Sequence, residues 1–168
     1  TAIRHEKMAP VGKSTAINRA AAIGTGDFFA FTDDDVSVDD KWLEIFEQIV
    51  SRQPDIDAFC GKVLPEKDTA PENYLNLVLG ERRKWIDRST NPFNTGFCGA
   101  NIFIKRATLI GIGGFNPLFG PGAKFKNNDD GELAYRLVRG GAKILYCPEL
   151  TVFHSGWRGE RDNRRLKF

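Results

Sequence analysis

A chain of 168 residues is long enough for one domain with a real core and is not comfortably two. Its 41% hydrophobic and 27% charged content is that of a globular protein, and it holds no apolar run near the roughly 20 residues of a membrane-spanning helix. The formal net charge is only +2, which gives no support to nucleic acid as the main partner, where a strong basic bias is expected.

Taken in chain order, Lys13 to Ile23 is alanine-rich and predicts a helix ending at Gly24, with Gly26 and Asp27 in the turn that follows. Phe28 to Thr32 is a short continuous apolar run. That pattern fits a strand buried on both faces of a parallel sheet. It stops at Asp33-Asp34-Asp35. Ser37 to Asp40 offer caps for a helix in which Trp42, Leu43, Phe46, Ile49 and Val50 recur at helical spacing until Pro54.

Residues 57–64 predict a second strand, and 71–87 a helix with Tyr74, Leu75, Val78 and Leu79 on one face. A turn-rich loop from Ser89 to Gly96 leads to a third strand over 100–104, then a helical turn over 107–110. Residues 111–128 form a glycine-rich loop, of a length that inside a compact domain is functional or mobile. Asp130 to Arg139 predict a helix closing at Gly140-Gly141, and Lys143 to Tyr146 and Thr151 to Phe153 predict two short strands. Strands alternating with helices argue for an α/β sheet. Arg158, Arg161, Arg164, Arg165 and Lys167 make a basic tail, read either as a solvated end or as a phosphate- or membrane-facing segment. The three cysteines, Cys60, Cys98 and Cys147, lack the close pairs of a zinc site and read as buried thiols of a reducing compartment.

Three carboxylates directly after an apolar strand repel one another, and a divalent cation relieves the repulsion. Hard oxygen donors suit magnesium or manganese, which commonly hold substrate phosphates too. The run also falls at the carboxyl end of a strand, where open α/β sheets bind ligands. The competing reading makes the aspartates caps of the next helix. Asp129, Asp130 and Glu132 form a second acidic cluster. It either complements a helix dipole or supplies a proton acceptor beside the first cluster. Glycines in Gly96-Phe97-Cys98-Gly99-Ala100-Asn101 permit close backbone approach to a ligand, or simply a tight turn. His154, after a short apolar strand, reads equally as a structural residue or as a ligand.

The order of these segments resembles family 2 glycosyltransferases of the GT-A fold. The resemblance runs through KSTAINRAAAIGTGD, FFAFTDDDV, GFCGANIFIKR, GGFNPLFGPG, DDGELAYRLVRGG and TVFH, from about Gly12 to His154. It implies a Rossmann-like mixed sheet flanked by helices, in one domain over 1–168. Within it, 1–65 is the donor and metal part, 66–155 the acceptor side and 156–168 the tail. It also implies that the first βαβ portion is missing, since the chain begins on Thr1 and the family opens with strands that bind the nucleotide base.

The implied activity is inverting transfer of a sugar from a nucleotide diphosphate to an acceptor hydroxyl, assisted by Mn2+ or Mg2+. Asp33 and Asp35 fall on the acidic positions of the Asp-x-Asp metal motif, with Asp34 between them and Asp33 nearer the nucleotide. Asp35 and His154 are the more direct metal ligands. Asp130 falls on the catalytic base, and Asp129 stands where glutamate is more usual. Gly99, Ala100 and Asn101 fall in the loop near donor sugar and acceptor. Asn18 matches a donor-binding asparagine, while Ile17 replaces a frequent arginine, leaving Lys13 or Arg19 to contact phosphate. The implied acceptor is a glycan, a lipid-linked glycan or another hydroxyl, as in polysaccharide synthesis. The implied place is the cytoplasm or the cytoplasmic face of a membrane, peripherally bound. The rivals at this point are a glycoside hydrolase, which also uses two carboxylates but needs no metal, another metal-dependent phosphate-handling enzyme, and a non-catalytic nucleotide-sugar-binding fragment.

Overall fold

A computed structural model describes residues 5–66, 80–90 and 96–155. In chain order the elements are α1 (Lys13–Ile23), β1 (Phe28–Phe31), β2 (Val36–Val38), α2 (Trp42–Arg52), β3 (Ala58–Pro65), β4 (Lys84–Ile86), β5 (Ile102–Lys105), α3 (Arg106–Gly111), α4 (Asp129–Arg139) and β6 (Ile144–His154). The strands form one mixed sheet in the order β1-β5-β3-β6-β2, and β4 also pairs with β6.

Alternation along the central strands divides the core between the two faces. Ala58 and Cys60 of β3, Ile102 and Ile104 of β5, and Ile144 and Tyr146 of β6 pack with Leu133, Ala134 and Leu137 of α4, Leu109 of α3 and Ala21 of α1. The intervening residues Phe59, Phe103, Leu145 and Cys147 pack on the other face with Trp42 and Ile49 of α2. There the Phe46 and Phe103 rings stack with centroids 3.9 Å apart, and Trp42 lies 4.4 Å from Phe103. Helices cover both faces, which is why the middle strands read as unbroken apolar runs.

β6 is the longest strand and changes partners along its length. Its first residues pair in parallel with β3 and antiparallel with β4. Its last residues pair with β3 and, antiparallel, with β2, placing Val36 opposite His154. Between the two halves the register slips: Gly61 faces Cys147, but Lys62 faces Thr151. The slip frees backbone carbonyls inside the protein, and the fully buried Asn101 answers them. Its Nδ2 donates to Lys62 O at 3.0 Å and Leu150 O at 2.9 Å, while its Oδ1 accepts from Trp42 Nε1 at 3.0 Å. A side chain at Gly61 has no room: an added Cβ would stand 2.0 Å from the Leu150 carbonyl oxygen.

Several sequence expectations are corrected. β1 is not a parallel strand buried on both faces. It pairs antiparallel with β5 and is only partly buried. Ser37 belongs to β2 rather than to a helix cap, and α2 begins after three intervening residues, behind a turn in which Asp39 accepts from the Lys41 and Trp42 amides. Of the helix expected over 71–87, residues 71–79, with Tyr74, Leu75, Val78 and Leu79, lie outside the described residues, and 84–86 form β4. The two strands expected near the end are one strand with a bulge. The basic tail over 156–168 lies outside the described residues.

Removing the Asn101 amide takes a hydrogen-bond partner from the buried Trp42 indole N–H, the buried Leu150 carbonyl and the part-buried Lys62 carbonyl. Asn101→Ala is therefore expected to lower the unfolding free energy by roughly 2–4 kcal/mol, since each orphaned group costs about 1–3 kcal/mol. Urea denaturation of the two proteins checks this, and an unchanged midpoint would show that the bulge does not rely on Asn101.

Candidate active site

The acidic run lies in the turn between β1 and β2, beside the end of β6. Ser155 clamps this junction, its N–H and hydroxyl donating to the Asp35 carbonyl at 2.9 and 3.0 Å. The β2–β6 pairing then sets the imidazole against the carboxylates, with His154 Nε2 3.5 Å from Asp35 Oδ1. Asp33, Asp35 and His154 each offer one ligand atom, all within 4.8 Å of one another. Two carboxylates and one imidazole make a donor set that fits a hard divalent cation such as Mg2+ or Mn2+. Asp34 is exposed in the turn and stands outside this group.

The second acidic cluster opens α4, where carboxylates complement the helix dipole. The dipole is only part of their role, because the three acids sit differently. Glu132 is engaged by Arg136 at 2.7 and 2.8 Å and by Asn116. Asp129 is buried against the backbone of Gly120, where an added Cβ would stand 2.9 Å from its carboxyl carbon. Asp130 is held by two amides: Gly99 N–H donates to Oδ2 at 3.1 Å and Gly131 N–H to Oδ1 at 2.8 Å. Those contacts fix the plane of a half-buried carboxylate beside the glycine-rich turn.

Lys13 joins the two clusters. It is the first residue of α1, and its Nζ donates to Asp33 Oδ1 while feeling the charges of Asp129 and Asp130. Burial pulls its pKa down, but the Asp33 hydrogen bond and charge, with help from Asp129 and Asp130, outweigh this and leave it above the ordinary value. Burial pushes the Asp129 carboxyl up, and the Asp130 charge adds to the shift against the opposing pull of Lys13. Burial, followed by the Asp130 charge, pushes the Cys98 thiol up to about 11, which disfavours its thiolate form at neutral pH.

The loop over 111–128 is tied by hydrogen bonds to the helices on both sides of it. Asn18 grips the Phe115 backbone at both ends, donating to its carbonyl at 2.7 Å and accepting from its N–H at 2.8 Å. Ser14 donates to Phe119 O at 2.7 Å, and Lys13 N–H to Pro121 O at 2.9 Å. From α4, Arg136 donates to the Ile112 and Gly114 carbonyls. Polar groups of α1 and α4 thus satisfy loop backbone groups that would otherwise need solvent.

The structure therefore brings together Lys13, Asp33, Asp35, His154, Gly99, Asp129 and Asp130. It sets Asn18 on the loop backbone and buries Ala100 and Asn101. Two contributors were not singled out in the sequence. Ser155 merely follows the histidine, and Gly120, at φ 97°, is one glycine of several in its loop.

The mixed α/β sheet flanked by helices is that of the GT-A fold, as comparison with solved structures shows. S. aureus TarS (1–349) superposes with a TM-score of 0.65 at 11% identity, over 89% of this chain and 42% of that one. The mannosyltransferase PcManGT from Pyrobaculum calidifontis, solved with GDP-Man and Mn2+, gives 0.58 at 19% identity, over 93% and 40%. In sequence, the glucosyl-dolichyl phosphate glucuronosyltransferase of Haloferax volcanii is 27% identical over 150 residues, 85% of this chain and 47% of that protein. The profile of glycosyl transferase family 2 matches residues 3–111, and the chain belongs to that family. The match includes Lys13, Asp33 to Asp35 and Gly99 to Asn101 but stops before Asp129, Asp130 and His154. The chain spans less than half the length of each of these relatives.

A carboxyl whose pKa is raised by folding binds its proton more tightly in the native state. Its charged form opposes folding above the ordinary carboxylate range, and stability falls as pH rises through the raised pKa. Asp129→Asn is thus expected to stabilise the protein most at pH 7, with the gain shrinking as pH falls toward the ordinary aspartate value of about 4. Denaturation midpoints at a series of pH values check this; a gain that did not vary with pH would remove burial of the charge as its cause.

Proposed function

We propose that the chain is the catalytic part of a metal-assisted, inverting glycosyltransferase that moves a sugar from a nucleotide diphosphate to an acceptor hydroxyl. The observation that carries this reading is the convergence at one place of three distant segments: Asp33 with Asp35, Asp129 with Asp130, and His154, with Lys13 facing both acidic clusters. Family membership and the GT-A fold support it, as do similar structures solved with nucleotide sugars, PcManGT with GDP-Man and TarS with UDP-GlcNAc.

Asp33, Asp35 and His154 hold the divalent ion, Mn2+ or Mg2+, which when bound offsets the negative charge of the diphosphate leaving group. Lys13, at the start of α1, adds a positive charge on the same side. Asp130, oriented by the Gly99 and Gly131 amides, accepts the proton of the attacking hydroxyl. The new bond joins the acceptor oxygen to the anomeric carbon as the bond from that carbon to the diphosphate oxygen breaks. The displacement inverts that carbon, and the nucleoside diphosphate leaves with the electron pair. The pinned 111–128 loop walls the Asp129 side, which limits access of water to the sugar.

For the acceptor, the name of the Haloferax relative points to a sugar already carried on a lipid phosphate. On that reading the enzyme works peripherally, at the cytoplasmic face of a membrane. No helix among the described residues is long and apolar enough to cross one.

Two substitutions separate the roles. Asp130→Asn is expected to lower the turnover number by about 10²–10⁴, the usual contribution of a general base. Calorimetric affinity for the donor should stay within about twofold, as expected for a group acting in the transition state. Asp35→Ala is expected to weaken donor binding in Mn2+ and to have little effect once the metal is chelated. Near-normal turnover in Asp130→Asn would remove Asp130 as the base, and metal-independent donor binding would remove the Asp35 site.

A further inference from the structure

Lys13 does something that phosphate contact alone does not require. Its ammonium donates to Asp33, a member of the candidate metal cluster, and it stands among Asp129 and Asp130 as well. Neither partner of the Lys13–Asp33 pair is fully exposed: the side chains are 30% and 24% accessible. Water therefore screens the pair only in part. A divalent ion entering beside Asp33 meets this positive charge at close range. It must share Asp33 with the ammonium or drive the ammonium away, and both weaken its binding. A diphosphate reverses the balance, because its charge attracts lysine and metal alike.

Resting on the glycosyl-transfer reading above, we propose that Lys13 is a built-in counter-ion that makes metal binding conditional on the nucleotide diphosphate. Without nucleotide, the ammonium neutralises Asp33 and disfavours the metal. With nucleotide, Lys13 turns to the phosphates, Asp33 is released, and metal and diphosphate bind together. By linkage, the factor by which nucleotide tightens metal is also the factor by which metal tightens nucleotide. Lys13 raises that factor, so the site avoids holding free metal and fills as a unit with its donor. The placement favours this role: α1 is fixed at its start by the Lys13 N–H to Pro121 O bond and by Ser14, so the lysine stem springs from a firm base.

The test is a Mn2+ titration of the full chain by calorimetry or by the spin resonance of free Mn2+. It compares wild type, Lys13→Met, Lys13→Arg and Asp35→Asn, each alone and with UDP or GDP, corrected for metal held by nucleotide in solution. Lys13→Met is expected to bind Mn2+ alone more tightly, on the order of tenfold for removing one nearby charge. Its nucleotide-induced gain in Mn2+ affinity should shrink by a similar factor. Lys13→Arg keeps the charge and is expected to stay close to wild type, which separates charge from loss of packing. If Lys13→Met binds Mn2+ no more tightly, or keeps the full nucleotide gain, the counter-ion role is overturned. An absence of any nucleotide gain in wild type overturns it too. Asp35→Asn reads the site itself: if it leaves Mn2+ binding intact, the metal-site reading fails first, and the counter-ion role falls with it.

Discussion

The slip in register between β3 and β6 is the constraint on which the rest of the site depends. Two strands that pair in parallel keep a constant register unless something satisfies the backbone groups that a slip releases. Here the Asn101 amide does so, with both of its hydrogens on carbonyls and its oxygen on the Trp42 indole. Gly61 supplies the room that any other residue would fill. Beyond the slip, β6 leaves β4 behind and pairs with β2, and that pairing carries His154 to Asp35. A buried polar residue of this kind is worth keeping because its loss orphans several groups at once.

The second requirement is electrostatic. Asp33, Asp129 and Asp130 belong to segments far apart in sequence and meet in a partly buried space. Like charges so placed oppose folding unless a cation stands among them. Lys13 is that cation. It ties the first helix to both acidic clusters, and the loop over 111–128 follows, gripped by the next polar residues of the same helix, Ser14 and Asn18. One helix thus positions the charge and the wall of the site.

Much of this was legible from local pattern. The helices at 13–23, 42–52 and 129–139 follow from alanine content or apolar spacing and from their stops, glycine after the first and last and Pro54 after the second. The central strands follow from short apolar runs. The acidic run announced itself because three carboxylates after a strand need neutralising. What failed to show was pairing. β1 has the composition of a strand buried on both faces, yet its partly buried position beside β5 is set by topology and not by its own residues. Lys84 to Ile86 continued a helical pattern on paper and became a strand because β6 offered it an edge.

By itself the sequence determined the class of fold, the family and the residue types able to do the chemistry, because these rest on periodicity, composition and short motifs read along the chain. Only the tertiary structure decided which of those residues meet. It placed His154 with Asp33 and Asp35, set Lys13 between two acidic clusters, and turned Asn18 and Asn101 to backbone groups. The physical reason is that charge and hydrogen bonding act through space. Their strength depends on distances and burial that exist only once strands 100 residues and more apart, such as β2 and β6, have paired.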